Sequence, residues 1–251
     1  MAELSEIVDF LDGNLRIREI PDYPGAMNGL QLENRGKVTR VAAAVDASLP
    51  VVEKAIAAGA DLLLVHHGLF WQGAQRITGP FYRKIRSAVE GGLAIYSSHL
   101  PLDVHPEWGN NALLAGALGV RVEGGFLDFK GLKTGLIGSV DITRDDLRRK
   151  LADVVGGAVH LCPAGSREIR RVGICTGGAG SQVTEAVVSG IDAFITGEGP
   201  HWSYPLAEEL GINLYYAGHY ATETFGVRML AGVLAERFPV EACFIDHPTG
   251  L

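Results

Sequence analysis

Adjacent histidines end an aliphatic run in ADLLLVHHG, where His66 and His67 follow Val65 and precede Gly68. Neutral imidazole is a ligand for zinc, iron and manganese, and imidazole also carries protons near neutral pH. If the backbone stays extended, neighbouring side chains point to opposite sides of the strand. The pair could then serve two metal ions, or one ion and one structural partner. A histidine and a carboxylate also sit four residues apart in SSHLPLD (His99, Asp103) and again in AGHYATE (His219, Glu223). Should residues 219–223 open a helix, that spacing puts both groups on one face. Four imidazoles and two carboxylates thus come from three strand ends. Such donors suit Zn, Fe or Mn, and a bridging carboxylate suits a two-metal centre.

Other candidates are less organised. His105, Glu107 and Trp108 follow Asp103 in a segment that reads as a solvated loop, and His201 and His247 stand alone. Tyr216 and Tyr220 flank His219 as packing or supporting groups. Gly177-Gly178-Ala179-Gly180 follows a strand and precedes a helix, yet it lacks the full dinucleotide fingerprint and reads as a tight turn. There is no GxSxG elbow, no phosphate-binding GxxxxGK[ST] and no HExxH helix. Cys162, Cys175 and Cys243 are too scattered for a disulfide framework or a metal knuckle.

Strands and helices alternate around these residues. Short apolar runs at 38–45, 60–65 and 93–97 predict strands, with helices at 48–59 and 80–91 that stop at Gly59 and at Gly91-Gly92. The second half predicts strands near 132–138, 158–162, 171–175, 192–196 and 212–217. Helices are expected near 143–155, 180–190, 202–210 and 221–237. Continuous apolar strands between helices mean α/β layers.

The two halves resemble each other. RVAAAVDASLPVVEKAIAAGADLLLVHHG (40–68) aligns without a gap on RVGICTGGAGSQVTEAVVSGIDAFITGEG (171–199), matching Arg40 with Arg171, Gly59 with Gly190 and Asp61 with Asp192. At a second constant offset LAIYSSHLPLD aligns on NLYYAGHYATE, matching His99 with His219 and Asp103 with Glu223. The expectation is two similar α/β domains from an internal duplication, 1–125 carrying His66, His67, His99 and Asp103, and 126–251 carrying His219 and Glu223.

Composition narrows the class. The chain has 251 residues, 47% of them hydrophobic, and a formal net charge of −7. That apolar content excludes disorder, and the acidic balance argues against a nucleic-acid surface. No apolar stretch approaches a membrane span, and the first residues lack a basic, apolar leader pattern, so a cytoplasmic protein is expected.

Asn28-Gly29-Leu30-Gln31, VHHGLFW (65–71), HLPLD (99–103) with GNNALLA (109–115), and GHYATE (218–223) together resemble the NIF3-like family, also called the GTP cyclohydrolase 1 type 2 homologue or DUF34 family. The resemblance covers nearly the whole chain and is similar to the short members without an inserted domain. It implies two similar α/β domains, a dinuclear centre and a toroidal homohexamer. It further implies that His66, Asp103 and Glu223 hold one divalent transition-metal ion (Fe, Zn or Mn) and that His67, His219 and Glu223 hold the other. Glu223 would bridge, and His99 would stand beside the metals as a catalytic proton shuttle. Leu100-Pro101 replaces the family's commoner Thr-containing pair, and HPEWGNN departs from its usual glycine-rich loop. The activity implied is hydrolysis of a small molecule, such as a nucleotide, phosphoester or cyclic amide. A metal-binding chaperone or interaction scaffold is the alternative.

Overall fold

The computed structural model describes the whole chain, residues 1–251, and its packing divides it into two compact units. The first comprises Met1–Leu102 with Gly226–His247, and the second Asp103–Phe225 with Pro248–Leu251. The division is therefore not the simple cut at residue 125 expected above. The chain returns to the first unit because strand Glu241–Phe244 pairs in parallel with Arg40–Asp46.

In the first unit, three parallel strands, Arg40–Asp46, Leu62–His67 and Ala94–Ser97, lie side by side in a five-stranded sheet. Residues Val41–Val45 and Leu62–Val65 are all buried, as expected for parallel strands covered on both faces. Helices Leu49–Ala57 and Gly79–Glu90 make the crossovers. In the second unit the matching strands are Glu168–Cys175, Ala193–Thr196 and Asn213–Tyr216, within a six-stranded sheet. The hairpin Arg121–Phe129/Leu132–Thr143 flanks them on one side and His160–Pro163 on the other. No helix is long and apolar enough to cross a membrane.

The shared residues of the 40–68 and 171–199 segments have a common structural purpose. Asp61 Oδ2 accepts the backbone N–H groups of Thr39 (2.6 Å) and Arg40 (3.1 Å), and Asp192 Oδ2 accepts those of Arg170 and Arg171 (both 2.9 Å). Each aspartate thereby ties the start of one strand to the entry of the preceding one. Arg40 Nη1 donates to Ala58 O, and Arg171 Nη1 donates to Ser189 O and Gly190 O. Gly59 and Gly190 follow their helices at φ +73° and +69°, a turn that a residue with a Cβ resists.

Burial would raise the Asp61 carboxyl, but the hydrogen bonds from Thr39 and Arg40 outweigh it and hold the carboxyl below its ordinary value. Because the folded-state value is depressed, its contribution to stability is present above an unfolded pKa of about 3.9 and fades as pH falls through the folded value. Asp61→Ala is expected to cost about 1 kcal/mol at pH 7, largely from amides left without an acceptor. Urea melts at pH 7 and pH 3 check this: the gap between variant and wild type should shrink at pH 3.

The second alignment is one residue out of step with the sheets. Leu64 pairs with Tyr96, whereas Ile195, which aligns with Leu64, pairs with Tyr215 rather than Tyr216. Tyr96 and Tyr215 are the equivalent buried rings, their hydroxyls donating to Asp12 Oδ1 and Arg144 O. The following short helices, Leu100–Asp103 and His219–Thr222, keep this register. His219 therefore stands where Leu100 does, and Glu223 stands one residue beyond the counterpart of Asp103. The repeated His-x-x-x-carboxylate pattern consequently places its groups at different points of the two units.

Candidate functional site

His66 and His67 are both buried at the end of their strand, with ring centroids 4.9 Å apart. This corrects the expectation that they point to opposite sides. The ladder on one side ends at the Val65–Ser97 pair, while His67 is still matched with Asp46 on the other. Both rings lie close to His99. That ring lies 4.9 Å from His66 and 5.7 Å from His67. Ligand atoms of the three histidines all lie within 4.8 Å of one another.

Each ring in this trio has its Nδ1 engaged. His66 Nδ1 donates to the carbonyl of Ser98 at 3.0 Å, which fixes the hydrogen on Nδ1 because a carbonyl only accepts. His67 Nδ1 meets Asp46 Oδ1 and His99 Nδ1 meets Asp22 Oδ1, each at 2.9 Å. Asp22 also accepts from Tyr23 N, Leu100 N and Asn28 Nδ2. Burial would raise its carboxyl, but the hydrogen bond and charge of His99, helped by Asn28 and Tyr23, hold it below the usual carboxylate range. Asn28 accepts from His99 N through Oδ1, and Gln31 Oε1 accepts from Leu69 N in the turn after the histidine pair. These contacts give a physical role to the Asn28–Gln31 segment. Trp71 packs over the trio, 4.6 Å from His67 and 4.5 Å from His99.

The second unit carries Asp103, His219 and Glu223. His219 Nδ1 donates to Glu198 Oε1 (2.8 Å), and its Nε2 lies 3.1 Å from Glu223 Oε1. The four-residue spacing thus brings imidazole and carboxylate together, as expected from sequence. Burial opposes a charged His219, yet Glu223 first and Glu198 second raise its pKa to about 9. Glu223 is 2% exposed. Asp103 Oδ1 accepts from Asn110 Nδ2 (2.8 Å), and Asn111 Nδ2 donates to the Asp103 carbonyl, so the asparagines of GNNALLA orient this carboxylate. Burial, and then the charges of Asp103 and Glu223, push the Cys175 thiol up to about 12.

Several supporting residues escaped the sequence reading. Asp22 and Asp46 gave no spacing signal. Glu198 did, because it aligns with His67 in the duplicated segment. Gly177 has φ +70°, and a Cβ there would come within 2.3 Å of Glu223 Oε1, so the glycine turn is the bed on which that carboxylate rests. His105 belongs to the loop: its ring stacks on Trp108 at 4.5 Å, and its Nδ1 accepts from the amides of Glu107 and Trp108.

A histidine whose Nδ1–H is held by a carbonyl or carboxylate presents Nε2 to a cation in a fixed direction, the common arrangement of metal ligands. Four imidazoles here share it, and two carboxylates, Asp103 and Glu223, are buried. The donor set fits divalent transition metals.

This is a mixed α/β protein whose histidines and carboxylates gather at strand ends. The family described as Duf34/NIF3 (NGG1p interacting factor 3) matches residues 2–250, and the chain belongs to that family. A relative from Deinococcus radiodurans, named GTP cyclohydrolase 1 type 2 homolog, is 41% identical over 98% of this chain and 94% of its own. A solved structure described as protein ybgI, of unknown function, superposes with a TM-score of 0.93 at 34% identity, covering 100% of both chains. The crystal structure of TTHA1606 from Thermus thermophilus gives 0.88 at 36% identity, again over 100% of both.

Proposed function

We propose that the protein is a dinuclear metal-dependent hydrolase acting on a small molecule, with a nucleotide, phosphoester or cyclic amide as the substrate class. The observation that supports this best is the common Nδ1 anchoring of His66, His67, His99 and His219. In this reading His66, Asp103 and Glu223 would hold one ion, and His67, His219 and Glu223 would hold the other. The ions, when bound, supply Lewis acidity and positive charge against which a hydrolytic step proceeds. Asp46 and Glu198 orient His67 and His219. Asn110 turns Asp103 toward its ligand role. Asp22 holds the proton on His99 Nδ1, so that Nε2 can accept and return a proton during turnover. Trp71, over His67 and His99, limits water at the trio.

A scaffold reading has one observation in its favour. His66, His67 and His99 come close enough to hold an ion by themselves, with His99 as a ligand rather than a shuttle. His99→Ala separates the two. The hydrolase reading expects metal content within about 20% of wild type and turnover reduced about 100-fold or more, the usual scale for losing an acid–base group. The wild-type, metal-loaded protein is to be screened against nucleotide, phosphoester and cyclic-amide panels, with His67→Ala as the inactive control. Loss of metal in His99→Ala, with no turnover on any panel, favours the scaffold.

Assembly as a closed homohexamer belongs to the same proposal, and it rests on the resemblance to the family. Light scattering at micromolar concentration tests it, and a stable 26.7 kDa species would contradict it.

A further inference from the structure

Glu198 has a second setting besides its contact with His219. It stands at the border of a cleft of about 440 Å³ in the second unit, lined also by His160, Pro200, His201, Tyr204 and Tyr216. That volume falls in the range of small-molecule sites. The His160 ring lies 5.4 Å from Tyr204 and 6.0 Å from Tyr216, with interplanar angles of 35° and 26°. Tyr216 is held in place, because its hydroxyl meets Ser203 Oγ at 2.7 Å and Ser203 Oγ donates to Pro200 O at 2.6 Å. The cleft is therefore lined by three aromatic rings, with the Tyr216 ring locked in place.

The polar border is equally specific. Glu198 Oε1 accepts from His219, and the side chain is 44% exposed. An ionised carboxylate only accepts hydrogen bonds. A ring bound against these faces is therefore matched at this border by an edge of N–H donors, and an edge of ring acceptors would meet repulsion.

We propose that this cleft binds a planar nitrogen heterocycle whose edge carries adjacent N–H donors, stacked on Tyr204 and Tyr216 and hydrogen-bonded to Glu198. Resting on the hydrolase reading, this ring is the recognition element of the substrate. Glu198 then links substrate recognition to His219 through one side chain.

Equilibrium binding to the 251-residue chain tests the assignment. Guanosine, with N–H donors at N1 and N2, is compared with adenosine, which presents an acceptor at N1, and with caprolactam, a cyclic amide without an aromatic face. Both metal-loaded and chelator-treated protein are used, and metal content is measured throughout. Guanosine is expected to bind about tenfold or more tightly than either control, with or without metal. Tyr204→Ala should weaken guanosine about tenfold at unchanged metal content, and Tyr204→Phe should restore it. Equal binding of guanosine and caprolactam, or Tyr204→Ala binding guanosine like wild type, overturns the proposal. Hydrolysis of a panel substrate without guanosine binding overturns this inference alone. Selective, Tyr204-dependent binding in a protein that hydrolyses nothing supports the cleft and overturns the hydrolase reading.

Discussion

Glu223→Gln is expected to lower bound metal from about two ions per chain to fewer than about one, with the fold intact by circular dichroism. Gln has nearly the same shape as Glu, so the buried position can still be filled. What disappears is the negative charge, and a neutral amide is a poor bridge between two cations. By contrast, His66→Ala and His67→Ala should each lose about one ion, since each imidazole is assigned to one metal. The metal-free variant supplies an independent readout. Glu223 is the main influence raising His219 to about 9, so the His219 titration followed by NMR should move down when that carboxylate becomes an amide. If Glu223→Gln keeps two ions while His99→Ala loses them, bridge and shuttle have been assigned to the wrong residues.

Gly177→Ala should have a comparable effect without replacing any proposed ligand. At φ +70° an alanine is strained, and its Cβ would lie 2.3 Å from Glu223 Oε1 and 3.4 Å from His219 Nε2. Either the turn or the carboxylate must move. The expected cost is about 1–3 kcal/mol of folding stability, together with loss of most bound metal. Gly178→Ala is the control. A Cβ there would meet its nearest neighbour, in the His219 ring, at 3.5 Å, an ordinary contact, and metal content should be retained. Equal metal content in both alanine variants would remove the glycine turn from the account.

The parallel strands could be read because Val41–Val45 and Leu62–Val65 are buried on both faces and so appear as unbroken apolar runs. Strand Arg121–Phe129 could not, because its first five residues are exposed and it contains Gly124-Gly125, leaving no apolar run and no alternation. The segment 180–190 is not the single helix expected there: it holds a short 3₁₀ turn, Gly180–Gln182, and then the helix Val183–Val188. The gapless repeat correctly paired Asp61 with Asp192, since both clamp backbone amides of the preceding strand. The second repeat misled by one residue. A His and a carboxylate four apart match in sequence, but strand register is set by the ladder, and the ladder aligns His99 with Gly218.

The candidate chemistry was legible as residue types, and its support was not. His66, His67, His99 and His219 stand out beside apolar strands. The partners that fix their tautomers come from distant segments: Asp22 lies 77 residues from His99, and Ser98 lies 32 from His66. Only the folded chain brings them together. The Asn28–Gln31 segment was recognised as a pattern, and the structure supplies its reason in the contacts to His99, Asp22 and Leu69.

Elemental analysis of the 251-residue chain, purified without chelator and then reconstituted with Fe, Mn or Zn, tests the two-metal assignment. About two divalent ions per chain are expected, removed by chelator and restored on reloading. Metal content near zero that none of the three ions restores would contradict it.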